Sequence, residues 1–338
     1  MKKSISKYFI SKVFIASLIF CSAFATASNK EEKLFIEDMI KQHGFEEAEL
    51  SQILSQVEVK DSILRAIARP AEKRLNWSQY RKIFMIPKRI NGGVKFWQEN
   101  KTALDRAYEK YGVPPEIITA IIGVETLYGA NTGGYRVLDA LATLGFHYPP
   151  RAKFFRSELS HFLRLTREEN IDPLMPTGSY AGAMGKPQFI PSSFRAYSID
   201  FDSDNKRDIW DNNVDIIGSV ANYFKRHGWL KDQAVTRKVE GVTSKHQSFI
   251  DAGMKPSLSI ADLRQANIKI DSEIDSSQKA SLIDLELNDG NEYWAGLKNF
   301  YVITRYNHSN MYAMAVFQLS QAIKNNYQAT ATATATVK

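Results

Sequence analysis

With 338 residues, 44% of them hydrophobic and no extreme bias, the chain can bury a sizeable core and divide into two or three subdomains, which excludes a fibrous or disordered protein. Its formal charge of +7 is not gathered into a basic stripe, so a nucleic-acid partner is not expected. A single cysteine, Cys21, excludes an intrachain disulfide.

The first segment concerns export. Lys2, Lys3, Lys7 and Lys12 lead into an apolar run over 13–25, and Ala25-Thr26-Ala27 supplies the small residues of a cleavage site, so 1–27 reads as a signal peptide. A retained anchor is the alternative, but the run falls short of the roughly 20 residues that span a bilayer. Phe20 puts a bulky ring just before Cys21, where lipid attachment needs a small residue, so the expected product is soluble and periplasmic. Cleavage removes four lysines and no acid, lowering the formal charge to +3.

From Glu31 to Arg69 apolar residues recur at helical spacing (Leu34, Met39, Leu50, Ile53, Leu54), and the pattern resumes over Gly93–Tyr111, predicting a helical domain over 28–110. Gly112-Val113-Pro114-Pro115-Glu116 then reads as a helix stop, a turn and a fresh start. Another helix is predicted from Asp215 to His227, within a core segment of 111–232. Between Gln233 and Asn291 the texture changes to alternation (Thr236-Arg237-Lys238-Val239-Glu240) and short helical stretches, a small α/β insertion over 233–292. The segment 293–328, helical at its end through Met311, Met314, Ala315, Leu319 and Ile323, is expected to pack back on the helical domain and the core. Repeating Ala and Thr over 329–338 read as an untethered tail. The fold class is mainly α, of the α+β type.

One acidic residue stands out. A helix over 115–128, capped by Gly129, places Glu125 on the same stripe as Ile118, Ile121 and Ile122. Glu116 is well placed for the helix dipole. On the core side desolvation disfavours the ionised carboxylate, so Glu125 is expected to hold its proton near neutrality and to serve as both acid and base. A buried ion pair with Arg or Lys would explain such a Glu equally well. Two glycine-rich stretches, Tyr128–Tyr135 and Gly178–Phe189, offer close backbone approach, hydroxyls, an amide and flat faces suited to a sugar ring, or are plain connections.

Gly123-Val124-Glu125-Thr126-Leu127-Tyr128-Gly129, the stretch Tyr135–Phe155, Gly178–Ser193, Ile217–Phe224 and Asn299–Leu319 together resemble the signature segments of the membrane-bound lytic murein transglycosylase B family, in order and over nearly the whole chain from Glu31. The resemblance implies a lysozyme-like catalytic core and an exotransglycosylase-type enzyme that cleaves the β-1,4 bond between N-acetylmuramic acid and N-acetylglucosamine in peptidoglycan. The muramyl 6-hydroxyl then attacks the anomeric carbon and leaves a 1,6-anhydro end. Glu125 would be the single acid and base, with Ser179 supporting it, Gln188 holding the sugar, and Tyr80, Tyr223, Tyr306 and Tyr312 lining the groove; each tyrosine could instead be a core aromatic. Tyr148-Pro149-Pro150-Arg151 departs from the family's usual pair of arginines after the first proline, while Arg151 is kept as a contact for acidic groups.

Asp200, Asp202, Asp204, Asp208 and Asp211 fall at positions 1, 3, 5, 9 and 12 of a calcium-loop pattern, with the carbonyl of Lys206 at position 7. By resemblance to the family's own loop the closing ligand is Asp215 rather than Asp211. A structural Ca2+ is expected, and no cofactor for catalysis; a solvated acidic turn is the bland alternative. The implied partners are peptidoglycan glycan strands, with wall-synthesis proteins open, and the chain is expected to be a monomer. Two other functions remain at this point: a lysozyme-type hydrolase using a second carboxylate, and a non-catalytic wall-binding protein.

Overall fold

The structure is a computed structural model that describes residues 30–68 and 75–336, so the signal-peptide and Cys21 readings lie outside the described residues. In chain order the helices begin with α1 (30–43), α2 (Glu47–Leu54), α3 (Asp61–Ile67), α4 (Trp77–Phe84), α5 (Pro87–Glu99), α6 (Lys101–Tyr111) and α7 (Pro115–Thr126). Strand β1 (Tyr135–Arg136), α8 (Val137–His147), α9 (Ala152–Glu168), β2 (Thr177–Gly178), α10 (Pro191–Tyr197) and α11 (Asn213–Arg226) follow. The remainder is β3 (Thr236–Val239), α12 (Gln247–Asp251), β4 (Leu258–Ser259), α13 (Ile260–Gln265), β5 (Lys279–Glu286), β6 (Asn291–Gly296), α14 (Lys298–Thr304) and α15 (Asn310–Thr336). The fold is thus mainly α with small sheets.

Two compact units emerge, and they do not follow chain order. Of the described residues, the first takes 30–68 together with 134–183 and 190–192. Here α8 lies along α9 and α3, and β1 pairs antiparallel with β2, Tyr135 opposite Gly178. Asp139, almost wholly buried at the start of α8, is satisfied by Arg136 in a two-pronged pair at 2.8 and 2.9 Å and by the Glu58 amide at 2.9 Å. The expected continuous helical domain over 28–110 is therefore divided: α1 to α3 cluster with α8 and α9, whereas α4 to α6 belong to the second unit. Helices pack by their apolar faces, and chain proximity does not decide which faces meet.

In the second unit α7 is the central helix, packed by α5, α6, α11 and α15. Every residue from Glu116 to Val124 is buried, which is why the segment is apolar on all sides. Its start is set by Pro115 in the first turn, and Glu116, also buried, is neutralised by Lys324 of α15 at 2.8 Å. Local signals fix the neighbours: Asn76 and Gln79 form a capping box at α4, and Gly112 ends α6 in the left-handed conformation.

The segment expected as an α/β insertion carries an antiparallel sheet of order β3-β6-β5-β4, with Ile283 opposite Trp294 in the central pair. Its own apolar cluster joins Ile260 and Leu263 of α13 to Leu282 and Ala295 of the sheet. Strand β6 runs across the boundary drawn at 292, because its residues 293–296 pair with both β3 and β5. The tail read over 329–338 is helical through Thr336, a continuation of α15 that is exposed at 328–330. Once a packed helix is nucleated, alanine-rich sequence extends it at little cost. Among the described residues no helix is long and apolar enough to cross a membrane.

Candidate active site and acidic loop

Glu125 occupies the last turn of α7, and it is half-buried where its helical neighbours are fully buried. The stripe of Ile118, Ile121 and Ile122 thus does not carry Glu125 into the core: α7 is buried on every face, and Glu125 is where its surface begins to open. The Tyr312 hydroxyl of α15 donates to Glu125 Oε1. Tyr312 is 3% exposed, and burial followed by the Glu125 charge holds its phenol well above the ordinary range. Burial and then Glu125 act in the same direction on Tyr306. Tyr80, 4% exposed on α4, lies close enough to influence Tyr312 and packs on Phe84 at 5.1 Å between ring centres.

Tyr223 is 7% exposed; its hydroxyl donates to the Arg305 carbonyl at 2.5 Å, and its ring meets Tyr306 at 4.8 Å. Burial chiefly, with smaller effects from Tyr197 and Glu125, raises its phenol as well. Tyr306 is half-buried and donates to the Pro187 carbonyl at 2.7 Å. The four sequence-predicted tyrosines are thus gathered in one unit; three are largely buried, and the engaged hydroxyls of Tyr223, Tyr306 and Tyr312 give a framed rather than an open arrangement. Gln188 also belongs to this unit, at a positive φ of 53°, with its amide donating to Thr132 and Gly185 carbonyls at 3.1 and 2.9 Å.

The helix stops two residues earlier than predicted, and not at glycine. Leu127 and Tyr128 both adopt left-handed backbone (φ 51° and 61°) before Gly129 at 97°. Such conformations cost about 1 kcal/mol or more each for residues with a Cβ and persist only when packing enforces them. Tyr128 provides that enforcement: its hydroxyl donates to the Arg89 carbonyl at 2.8 Å, and its ring stacks on Phe96. The ring fills a slot that only glycines leave free, since a Cβ on Gly123 would lie 2.4 Å from its hydroxyl and one on Gly93 2.6 Å. Arg89 Nε closes the circuit by donating to the Gly123 carbonyl at 2.9 Å. Sequence reasoning missed Tyr128 and Arg89. The signal available was Gly92-Gly93 inside a helix, where glycine is disfavoured unless something approaches closely.

Ser179 and Arg151 are in the first unit. Ser179 Oγ accepts from the amides of Ala181 and Ala183, closing a tight loop in which a Cβ on Gly178 would strike the Ala183 carbonyl at 2.2 Å. The exposed Arg151 guanidinium lies over Phe154 at 4.4 Å.

In the acidic loop Asp200, Asp202, Asp204 and Asp215 bring carboxylate oxygens within 4.8 Å of one another, and Asp211 is outside this group. Asp215 is wholly buried in the first turn of α11, accepting from the amides of Phe201 at 2.6 Å and Asp208 at 2.9 Å. Burial first, with the charges of Asp202 and Asp200 adding to it against those two amides, raises its carboxyl above the ordinary range. Asp200 accepts from Ser203, Asp204 and Asn205 amides, and left-handed Ser203 and Asn205 bend the chain around it. Lys206 follows, its amide donating to Asp204 at 2.9 Å. Four convergent hard oxygen donors, one of them buried, fit a hard cation.

The model of the transglycosylase SLT domain matches residues 27–321. The chain is 46% identical to the membrane-bound lytic murein transglycosylase B of Escherichia coli K12 over 306 residues, covering 88% of this chain and 83% of that one. It resembles the crystal structure of the soluble lytic transglycosylase SltB1 of Pseudomonas aeruginosa (49% identity, 88% and 99% coverage, TM-score 0.83). It is likewise similar to the Escherichia coli lytic transglycosylase Slt35 in complexes with bulgecin A and with calcium (46% identity, 88% and 93% coverage, TM-score 0.80 in each). The family model spans most of the chain and the relatives span it with an equal reach, so the chain belongs to the transglycosylase SLT domain family.

Proposed function

We propose that this chain cleaves the glycan strands of peptidoglycan as a lytic transglycosylase, with Glu125 as its single acid and base. The observation that carries the reading is the half-buried carboxylate at the end of a fully buried helix, hydrogen-bonded by Tyr312 and acting electrostatically on Tyr306 and Tyr223. Glu125 is the carboxylate whose charge reaches all three phenols, which suits a reaction that needs one acidic group. In the reaction Glu125 gives its proton to the glycosidic oxygen between the muramyl and glucosaminyl residues, and the bond from that oxygen to the anomeric carbon breaks. The 6-hydroxyl of the same muramyl residue attacks that carbon, its proton returns to Glu125, and a 1,6-anhydro ring forms without consuming water. Tyr312 holds the carboxylate in one orientation throughout.

Tyr80, Tyr223, Tyr306, Tyr312 and Gln188 are proposed as sugar contacts in the second unit, and Ser179 and Arg151 as further contacts carried by the first. Asp200, Asp202, Asp204, Asp215 and the Lys206 carbonyl are proposed to hold calcium, whose part is structural: it ties the loop to the first turn of α11. The enzyme acts in the periplasm after removal of residues 1–27. Mass analysis of muropeptides released from purified sacculi tests the central reading. Ends lighter by one water than reducing ends support it, and reducing ends alone point to hydrolysis instead.

A further inference from the structure

Outside this site the second unit carries a hollow of about 250 Å³ where Lys255, Lys279 and Lys298 meet Tyr301, Leu230, Gln233 and Gln278. No carboxylate lines it. The three lysines are exposed, and among the described residues none of them forms an ion pair, although Lys279 does act on Asp262 from a distance. Gln278 donates to Gln233 at 3.0 Å, leaving the acceptor of one amide and the donor of the other for a ligand. Like charges around a concave, partly apolar surface repel one another and favour an anion with some apolar body.

The positive field extends along α14. Arg305 lies over the Tyr301 ring at 5.9 Å, and Lys298 over the same ring at 5.7 Å. His227 is held below its ordinary pKa, by burial first and then by the charges of Arg305, Arg226 and Lys298. The hollow is joined to the reaction site by continuous chain. Arg305, whose carbonyl accepts from Tyr223, is followed by Tyr306, a phenol that feels Glu125.

We infer that the hollow bounded by Lys255, Lys279, Lys298 and Tyr301 binds the carboxylates of a peptide stem on the glycan strand being cut. This rests on the reading that the substrate is peptidoglycan, whose muramyl residues carry short peptides ending in carboxylates. The lysines supply charge, the glutamine amides orient the peptide backbone, and Leu230 with Tyr301 receives its methyl and methylene groups.

The experiment compares the full mature chain with a Lys255→Gln/Lys279→Gln/Lys298→Gln variant on two substrates: peptide-bearing strands, and strands stripped of peptide by an amidase. The ratio of kcat/KM on the two substrates falls about tenfold in the variant, the product of three exposed charge contacts worth roughly threefold or less each. An unchanged ratio overturns the proposal, as does an equal loss on both substrates, which would mark a general effect. Calorimetric titration with a free acidic stem tripeptide gives a second readout that needs no turnover. Binding by the wild type that weakens about tenfold in the variant supports the site even if Glu125 proves to have another role. Equal binding of inorganic phosphate and tripeptide would reduce the hollow to an unspecific anion site and overturn the assignment.

Discussion

A lone carboxylate and a cluster of four, both in the second unit, are surrounded in opposite ways. Glu125 is met by phenols: the Tyr312 hydroxyl donates to it, and Tyr223 and Tyr306 lie close enough to feel its charge. Asp200, Asp202, Asp204 and Asp215 are met by backbone amides and by one another, in a loop bent by left-handed Ser203 and Asn205. An apolar, weakly acidic surround lets a lone carboxyl gain and lose a proton. Mutual proximity of several carboxylates instead concentrates negative charge and calls for a cation. The same functional group is directed to protons in one place and to metal in the other by what encloses it.

Exchanging the function of either region should break the contrast. Glu125→Gln keeps shape and hydrogen-bonding capacity but cannot transfer a proton, and turnover on sacculi is expected to fall by about 10²- to 10⁴-fold with an unchanged melting temperature. Wild-type turnover in that variant would remove Glu125 from the chemistry. Tyr312→Phe removes a charge-assisted hydrogen bond of about 1.5 kcal/mol and lowers kcat roughly tenfold. Because the hydroxyl favours the ionised carboxylate, its loss should also move the alkaline limb of the pH–rate profile upward; a merely structural role would leave that limb in place.

For the acidic loop the effect appears in stability instead. Chelation, or Asp215→Asn, is expected to lower the melting temperature by roughly 5 °C, from about 2.7 kcal/mol of linkage at a hundred times Kd. Identical melting curves with and without calcium would make the loop a solvated turn. The smallest effect concerns His227, which stacks on Tyr223 at 4.1 Å and is held below its ordinary pKa by burial and neighbouring cations. A base depressed in the folded state binds fewer protons than in the unfolded one, so its contribution is complete above about 6.5 and is lost as pH falls below that value. Denaturant titrations from pH 7.5 to 5 should show stability declining in the wild type and a flatter profile in His227→Gln.

Much of this was legible in the residues. Pro115 marked the start of α7, and the alternation at Thr236–Val239 is strand β3. The spacing of Asp200, Asp202 and Asp204 suits a loop that curls round one centre, and left-handed Ser203 and Asn205 supply the bend that brings them together. Other features depend on partners far away in sequence, which no local pattern records. The division of α1–α3 from α4–α6 is decided by which faces α8, α9 and α15 cover. The end of α7 was misread at Gly129 because glycine is the usual left-handed residue, whereas Leu127 and Tyr128 are driven there by a glycine-lined slot formed with α5. The opening at Glu125 was invisible because all of α7 is apolar and one stripe of it carries no directional information.

The burial of α7 on every side has a consequence for how the molecule fails. Its amides have no route to solvent short of separating the helices that enclose them, so they should be among the slowest to exchange deuterium. Glu125 is anchored in that slowest-opening segment. On heating, bond cleavage and the packed state should vanish in a single step, with no warm interval in which an intact body persists around an already disordered reaction centre.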